Sequence, residues 1–179
     1  MLVESFRFVT ARLIPREHRC KQALLFATVI LAGCGGSSAA KSTSQWQTVA
    51  GTGLTFQAPK GWTVERGQGR VTVAHGKELV QVSTFPLTKV YDEKLFVRVA
   101  TELRTRMEQI ARQTGGKLSA GSTITADGVR SHVYDVTAGS QVDEYTFVLS
   151  GKREYLLLCR RRSSNDSVCK ELVTSFARH

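Results

Sequence analysis

The side chains that carry chemistry in this 179-residue chain are few and scattered. Four are cysteines, Cys20, Cys34, Cys159 and Cys169. The last two stand ten positions apart, a spacing open to a disulfide, to two buried thiols or to two ligands of a metal ion; no nearby His or second Cys pair completes a zinc site. His75 sits beside a Gly turn and His132 alternates with Tyr134 and Val136, so structural rather than catalytic histidines are expected. Asp135, Asp143 and Glu144 could hold a cation, yet their spacing matches no calcium loop. Trp62, behind Pro59 and Gly61, suits a ligand-stacking platform or a packed turn, and packing is expected. No Gly-x-Ser-x-Gly elbow occurs, and Gly115-Gly116-Lys117 fails as a phosphate loop because residue 111 is Ala and Leu118 follows the Lys. Neither an enzyme nor a cofactor or metal is therefore expected.

The densest charge lies in Lys152-Arg153 and Arg160-Arg161-Arg162, on either side of one apolar run. Two readings stand side by side: contact with anionic headgroups or wall polymers, where each basic residue contributes about 1 kcal/mol, and a solubilising rim. Lys152 and Arg160 fall at opposite ends of a strand, which argues against one simple patch.

The elements that would position these groups begin with an N-terminal address. Ala23 to Gly33 is an uncharged stretch of 11 residues, too short to span a bilayer, which takes about 20. Arg12, Arg16, Arg19 and Lys21 precede it, the order of a secretory signal. Gly35 to Gln45 has the composition of a flexible tether, reaching roughly 17 to 20 Å on average. The organisation expected is a signal over 1–33, a modified Cys34 with its tether over 34–45, and a globular domain over 46–179. Cleavage after Gly33 removes Arg7, Arg12, Arg16, Arg19 and Lys21 with Glu4 and Glu17, which lowers the formal charge from +10 to +7.

Apolar residues make up 41% of the chain, with only 3 Pro and 15 Gly, which excludes a disordered or collagenous protein. Short alternating runs at Leu54–Ala58, Trp62–Val64, Arg70–Ala74 and Leu79–Phe85, punctuated by Pro59, Gly61, Gly67, Gly69 and Gly76, predict antiparallel hairpins. Leu95, Val99, Leu103, Met107 and Ile110 then form one stripe of a helix over 92–114, capped by Asp92 and stopped by Gly115-Gly116. Its other face, with Arg98, Glu102, Arg104, Arg106, Glu108 and Arg112, is expected to be solvated rather than a docking surface. Strands resume at Ser122–Ala126 and Val129–Thr137 through an Asp127-Gly128 turn, then at Val142–Leu149 and Glu154–Arg160. Tyr155-Leu156-Leu157-Leu158 is apolar on both faces, so this strand should be central and covered twice. Val168, Leu172, Val173 and Phe176 mark a closing helix after Ser163–Asp166. The economical architecture is an α+β fold, an α/β/α sandwich around an antiparallel sheet.

Two resemblances add to this reading. Leu31-Ala32-Gly33-Cys34 resembles the lipobox of bacterial lipoproteins. That implies recognition of Leu31, Ala32 and Gly33 by a signal peptidase and alkylation of the Cys34 thiol by diacylglycerol. The new amine is then often acylated, so that palmitate would label the protein; Cys20 would be lost with the leader. In the oxidising compartment that follows, Cys159 and Cys169 are expected to pair, and nucleic acid is not an expected partner despite a pI near 9.8. Second, the Gly53-Leu-Thr-Phe-Gln-Ala-Pro-Lys-Gly-Trp62 opening, a mid-chain helix, hairpins and the closing Cys169-Lys-Glu-Leu-Val-Thr-Ser-Phe176 resemble the PsbP-like superfamily (PsbP/Mog type) over nearly the whole mature chain. That superfamily includes extrinsic photosystem II subunits, a factor that binds the GTPase Ran, and bacterial lipoproteins; no residue here transfers the first two roles. Together they lead us to expect a lipid-anchored, extracytoplasmic, non-enzymatic domain. It would bind a protein or an envelope component of unknown identity or, alternatively, carry a small apolar or anionic ligand.

Overall fold

The structure is a computed structural model that describes residues 45–162 and 167–179. Glycine-punctuated alternation becomes β1 (Trp46–Gly51), β2 (Leu54–Pro59), β3 (Thr63–Gly67), β4 (Arg70–His75) and β5 (Glu78–Pro86). A 3-10 turn at Glu93–Leu95 leads into α1 (Phe96–Thr114), followed by β6 (Lys117–Leu118), β7 (Ser122–Ala126), β8 (Val129–Ala138), β9 (Gln141–Ser150) and β10 (Arg153–Arg161). The chain closes with α2 (Ser167–Ser175) and β11 (Ala177–Arg178).

Turn chemistry sets the hairpins. Asp127 and Gly128 both take positive φ, 46° and 72°, as the two-residue turn between β7 and β8 requires. At the end of α1, Gly115 adopts φ 65°, and the Gly116 N–H returns to the Ala111 carbonyl at 2.8 Å, closing the last helical carbonyls in a Schellman pattern. Asp92 caps the 3-10 turn, accepting from the Lys94 N–H at 2.9 Å, so α1 itself starts later than the sequence suggests.

Among the described residues the strands form two antiparallel sheets. The large one runs β3-β4-β5-β10-β9-β8, with β6 and β7 sharing the outer edge of β8. The other is β1-β2-β11. β10 lies between β5 and β9 with its apolar side chains divided between two cores. Tyr155, Leu157 and Cys159 join β2, α2, Val71, Val73, Val80 and Val82 on one side. Leu156 and Leu158 meet Leu103, Met107, Tyr145 and Phe147 under α1 on the other.

The α/β/α layering holds with one difference: the layer of α2 also contains the small sheet. β1, β6 and β11 are additions to the strands expected from periodicity. The β1–β2 hairpin buries Val49, Leu54, Phe56 and Ala58, while Thr48 and Gln57 remain outward, where Gln57 Nε2 donates to Thr48 Oγ1. A hairpin with one apolar face lies over a sheet rather than extending it. β11 then seals the edge of β2, held by Arg178, which donates from Nε to the Asp127 carboxylate and from Nη2 to its carbonyl.

Cys159 on β10 and Cys169 on α2 are joined in a disulfide with a Cα–Cα distance of 5.4 Å. Both are buried in the core that α2 covers. In the chain-entropy description a loop of this size contributes about 2 to 3 kcal/mol. Replacing both cysteines by Ser is expected to lower the urea unfolding free energy by that amount; a loss below about 0.5 kcal/mol would refute this contribution.

Candidate functional site

The far end of β10 is neutralised from within. Because successive residues point to opposite faces, Arg160 turns toward α1 and Arg161 toward α2. Arg160 donates from Nε and Nη2 to the two carboxylate oxygens of Asp143, at 2.8 and 2.9 Å. Those hydrogen bonds raise the Arg160 pKa, and burial followed by the Asp143 charge pushes the Tyr145 phenol up to about 12. Arg161 Nη2 lies 3.4 Å from Asp135 and 3.5 Å from Glu144. Asp143 thus faces away from Asp135 and Glu144, and the three carboxylates do not converge on a cation. Arg162 is exposed.

The remaining sequence candidates are packed. Trp62 is half-buried against the α2-side core and stacks on His75, with ring centroids 6.2 Å apart. His132 is buried; its Nε2 lies 3.1 Å from the Phe96 carbonyl and its ring stacks on Phe96 at 3.8 Å. Arg130 sits over the same Phe96 ring at 3.6 Å. Burial lowers the His132 pKa and the Arg130 charge adds to this, against the Phe96 hydrogen bond.

On α1 the solvated face is interrupted. Arg106 donates from Nη1 to Glu154 Oε1 at 2.7 Å and lies over the Phe147 and Phe85 rings. Cys34 with Leu31, Ala32 and Gly33, and the Ser163–Asp166 lead-in, fall outside the described residues.

Lys152 and Arg153 lie at the other end of β10, so the two basic clusters are separate. They join a pair that sequence reading missed. Arg66 and Arg70 flank the Gly67-Gln68-Gly69 tip of the β3–β4 hairpin, and the strand order brings that tip beside the β9–β10 turn. The Gly69 carbonyl accepts from the Thr84 N–H at 2.8 Å, and the Lys152 carbonyl from Leu87 at 2.8 Å. Between these tips and the β1–β2 turn a groove of about 640 Å³ opens, where the two sheets part. Leu54, Val71, Val82 and Pro86 line its apolar side; Arg66, Arg70, Lys152 and Arg153 line it too, and no Asp or Glu does. Gly51 makes the tight corner: a Cβ there would stand 2.9 Å from Val71 Cγ2 and 3.0 Å from Leu54 Cδ1.

No family model and no curated protein matches the chain. The fold does match solved structures. The solution structure of cyanobacterial PsbP (CyanoP) from Synechocystis sp. PCC 6803 superposes with a TM-score of 0.56 at 16% identity, covering 83% of this chain and 99% of that one. A crystal structure from Bacteroides thetaiotaomicron VPI-5482 superposes with a TM-score of 0.52 at 10% identity, over 75% of this chain and 48% of that one, about half its length. The domain is therefore PsbP-like in fold, as the opening and closing motifs imply. Among the described residues no helix is long and apolar enough to cross a membrane.

The His132 environment has a measurable consequence. Its folded-state pKa lies below the ordinary 6.5, so the unfolded chain takes up this proton first on acidification. The stability it contributes is complete above that value and is lost as the pH falls through the depressed folded pKa. Between about pH 7.5 and about pH 5.5, His132→Gln is expected to flatten the fall in urea unfolding free energy. An unchanged slope would refute the lowered pKa.

Proposed function

We propose that this chain is a lipid-anchored, extracytoplasmic binding domain without enzymatic activity, which holds an acidic protein or envelope component at the groove between its sheets. The observation that carries the binding surface is the grouping of Arg66, Arg70, Lys152 and Arg153 around a groove lined by no carboxylate. Among the described residues none of the four enters an ion pair, whereas Arg104, Arg106, Arg160, Arg161 and Arg178 all do. Arg98, Arg112, Arg130 and Arg162 likewise enter no ion pair among the described residues, so what sets these four apart is that they gather around one opening.

Support for the anchor comes from Leu31-Ala32-Gly33-Cys34 and the basic residues before it. Diacylglycerol plus a further acyl chain holds a protein stably at a bilayer, where one chain alone binds marginally. The tether would then keep the groove within a short reach of the surface. The volume of the groove favours a second reading, a carrier of a small anionic ligand, since small-molecule sites span about 300 to 1,000 Å³.

Two measurements test the proposal. Palmitate supplied to the native host should label the protein and fail to label Cys34→Ser; label on the variant, or none on the parent, would sink the anchor. Crosslinking in intact cells should capture a partner that is lost in an Arg66→Ser, Arg153→Ser double variant. Capture unaffected by those changes would remove the groove from the function.

A further inference from the structure

We infer that the groove takes a phosphate ester, its oxyanion held by Arg66, Lys152 and Arg153 and its organic part resting beside Pro86. This rests on the reading of the groove as the binding surface and names the chemistry that surface recognises.

Donor geometry comes first. Arg66 belongs to β3 of the large sheet, and its Nε donates across to the Ala50 carbonyl of β1 at 3.3 Å. That bond draws one edge of its guanidinium to the junction of the sheets, while its Nη groups have no hydrogen-bond partner among the described residues. A guanidinium held by one edge presents the other as a fork for an oxyanion. Arg153 is placed from the opposite side: its Nη1 lies 3.6 Å from where a Cβ on Gly53 would stand, so it lies across the β1–β2 turn. Lys152 occupies the exposed β9–β10 turn and adds a mobile point charge. Arg70 begins β4 and pairs with Ser83 in the register that faces α1, so it adds charge at the rim rather than a ligand.

The charge count comes next. Three cations, Arg66, Lys152 and Arg153, with no acid in the lining exceed what a single carboxylate, with one charge and two oxygens, can satisfy. A phosphate ester offers up to two charges and three terminal oxygens, matching two guanidinium forks and an ammonium. The dimensions set the third limit. A groove of about 640 Å³ with a tight corner at Gly51 accommodates a headgroup-sized molecule. The apolar wall is short, for Leu54, Val71 and Val82 are all almost fully covered by the fold, so the organic part in contact is small and meets Pro86.

A phosphomonoester fits these limits whether free, as in glycerol phosphate, or as the headgroup of phosphatidic acid, and the test separates the sources. The full chain carrying Cys34→Ser is titrated with glycerol phosphate and, separately, with glutarate, while backbone amides are followed by NMR. Saturable shifts at Gly51, Gly53, Gly67, Gly69 and Arg153 are expected, with glutarate roughly tenfold weaker or more. Flotation of the same protein with phosphatidic acid vesicles, competed by glycerol phosphate, assigns the lipid as source; binding of glycerol phosphate without flotation assigns the free ester. Arg66→Ser should weaken binding by roughly tenfold or more, and Lys152→Ser, in an exposed turn, repeats the test with little risk to folding. Arg162→Ser, at the far end of β10, should leave it unchanged. No saturable shift, equal affinity for glutarate, or equal loss in the Arg162 variant would overturn the inference. Loss of in-cell capture in the groove variants without phosphate-ester binding overturns the ligand class alone; capture that ignores the groove overturns the reading beneath it.

Discussion

Everything in this domain is referred to a single strand that has no exposed face. β10 pairs with β5 on one side and β9 on the other, in register from Arg153 to Arg160. Its odd residues enter the core under α2 and the small sheet, its even residues the core under α1. Burial of such aliphatic and aromatic side chains contributes roughly 1.5 to 3 kcal/mol each. The same parity places Cys159 against α2, Glu154 against Arg106 of α1, and Arg160 and Arg161 against acids on opposite sides. Helix attachment, the covalent bridge and the ion pairs of Glu154, Arg160 and Arg161 are consequences of one alternation.

The groove follows from how the second layer is built. Because the β1–β2 hairpin has a single apolar face, it covers the large sheet only where Val49, Leu54, Phe56 and Ala58 find partners, and beyond Gly51 the sheets separate. The tips of the β3–β4 and β9–β10 hairpins meet at that opening. Gathering four cations there costs electrostatic energy, tempered by water and salt at a partly open site. Such a gathering works against stability, which is the ground for the binding role proposed for the cluster.

Legibility in the sequence divides along the same line. Strand and helix periods, the Asp127-Gly128 turn and the Gly115-Gly116 stop are local, and each appears in the structure where its residues announce it. So does the central strand, since only a doubly covered one carries Tyr155-Leu-Leu-Leu158. The small sheet was not legible because β11 is two residues long and exists only through its pairing with β2. Arg66 and Arg70 were not legible as site residues because more than eighty positions separate them from Lys152 and Arg153; only the order β3-β4-β5-β10 brings them together. Arg106 looked solvated because its partner, Glu154, lies on another element 48 positions away. Charges declare their presence in a sequence but not their neighbours.

The arginine doublet at the end of β10 also bears on how this chain can change over time. Exchanging one residue for another there disturbs one side of the sheet. Inserting or deleting a single residue between Leu156 and Arg160 would instead invert the orientation of everything beyond it, turning Arg160 away from Asp143, Arg161 away from Asp135 and Glu144, and Cys159 away from α2. Length variation among descendants of this sequence should therefore gather in the hairpin tips and spare the middle of that strand, whatever drift its composition undergoes.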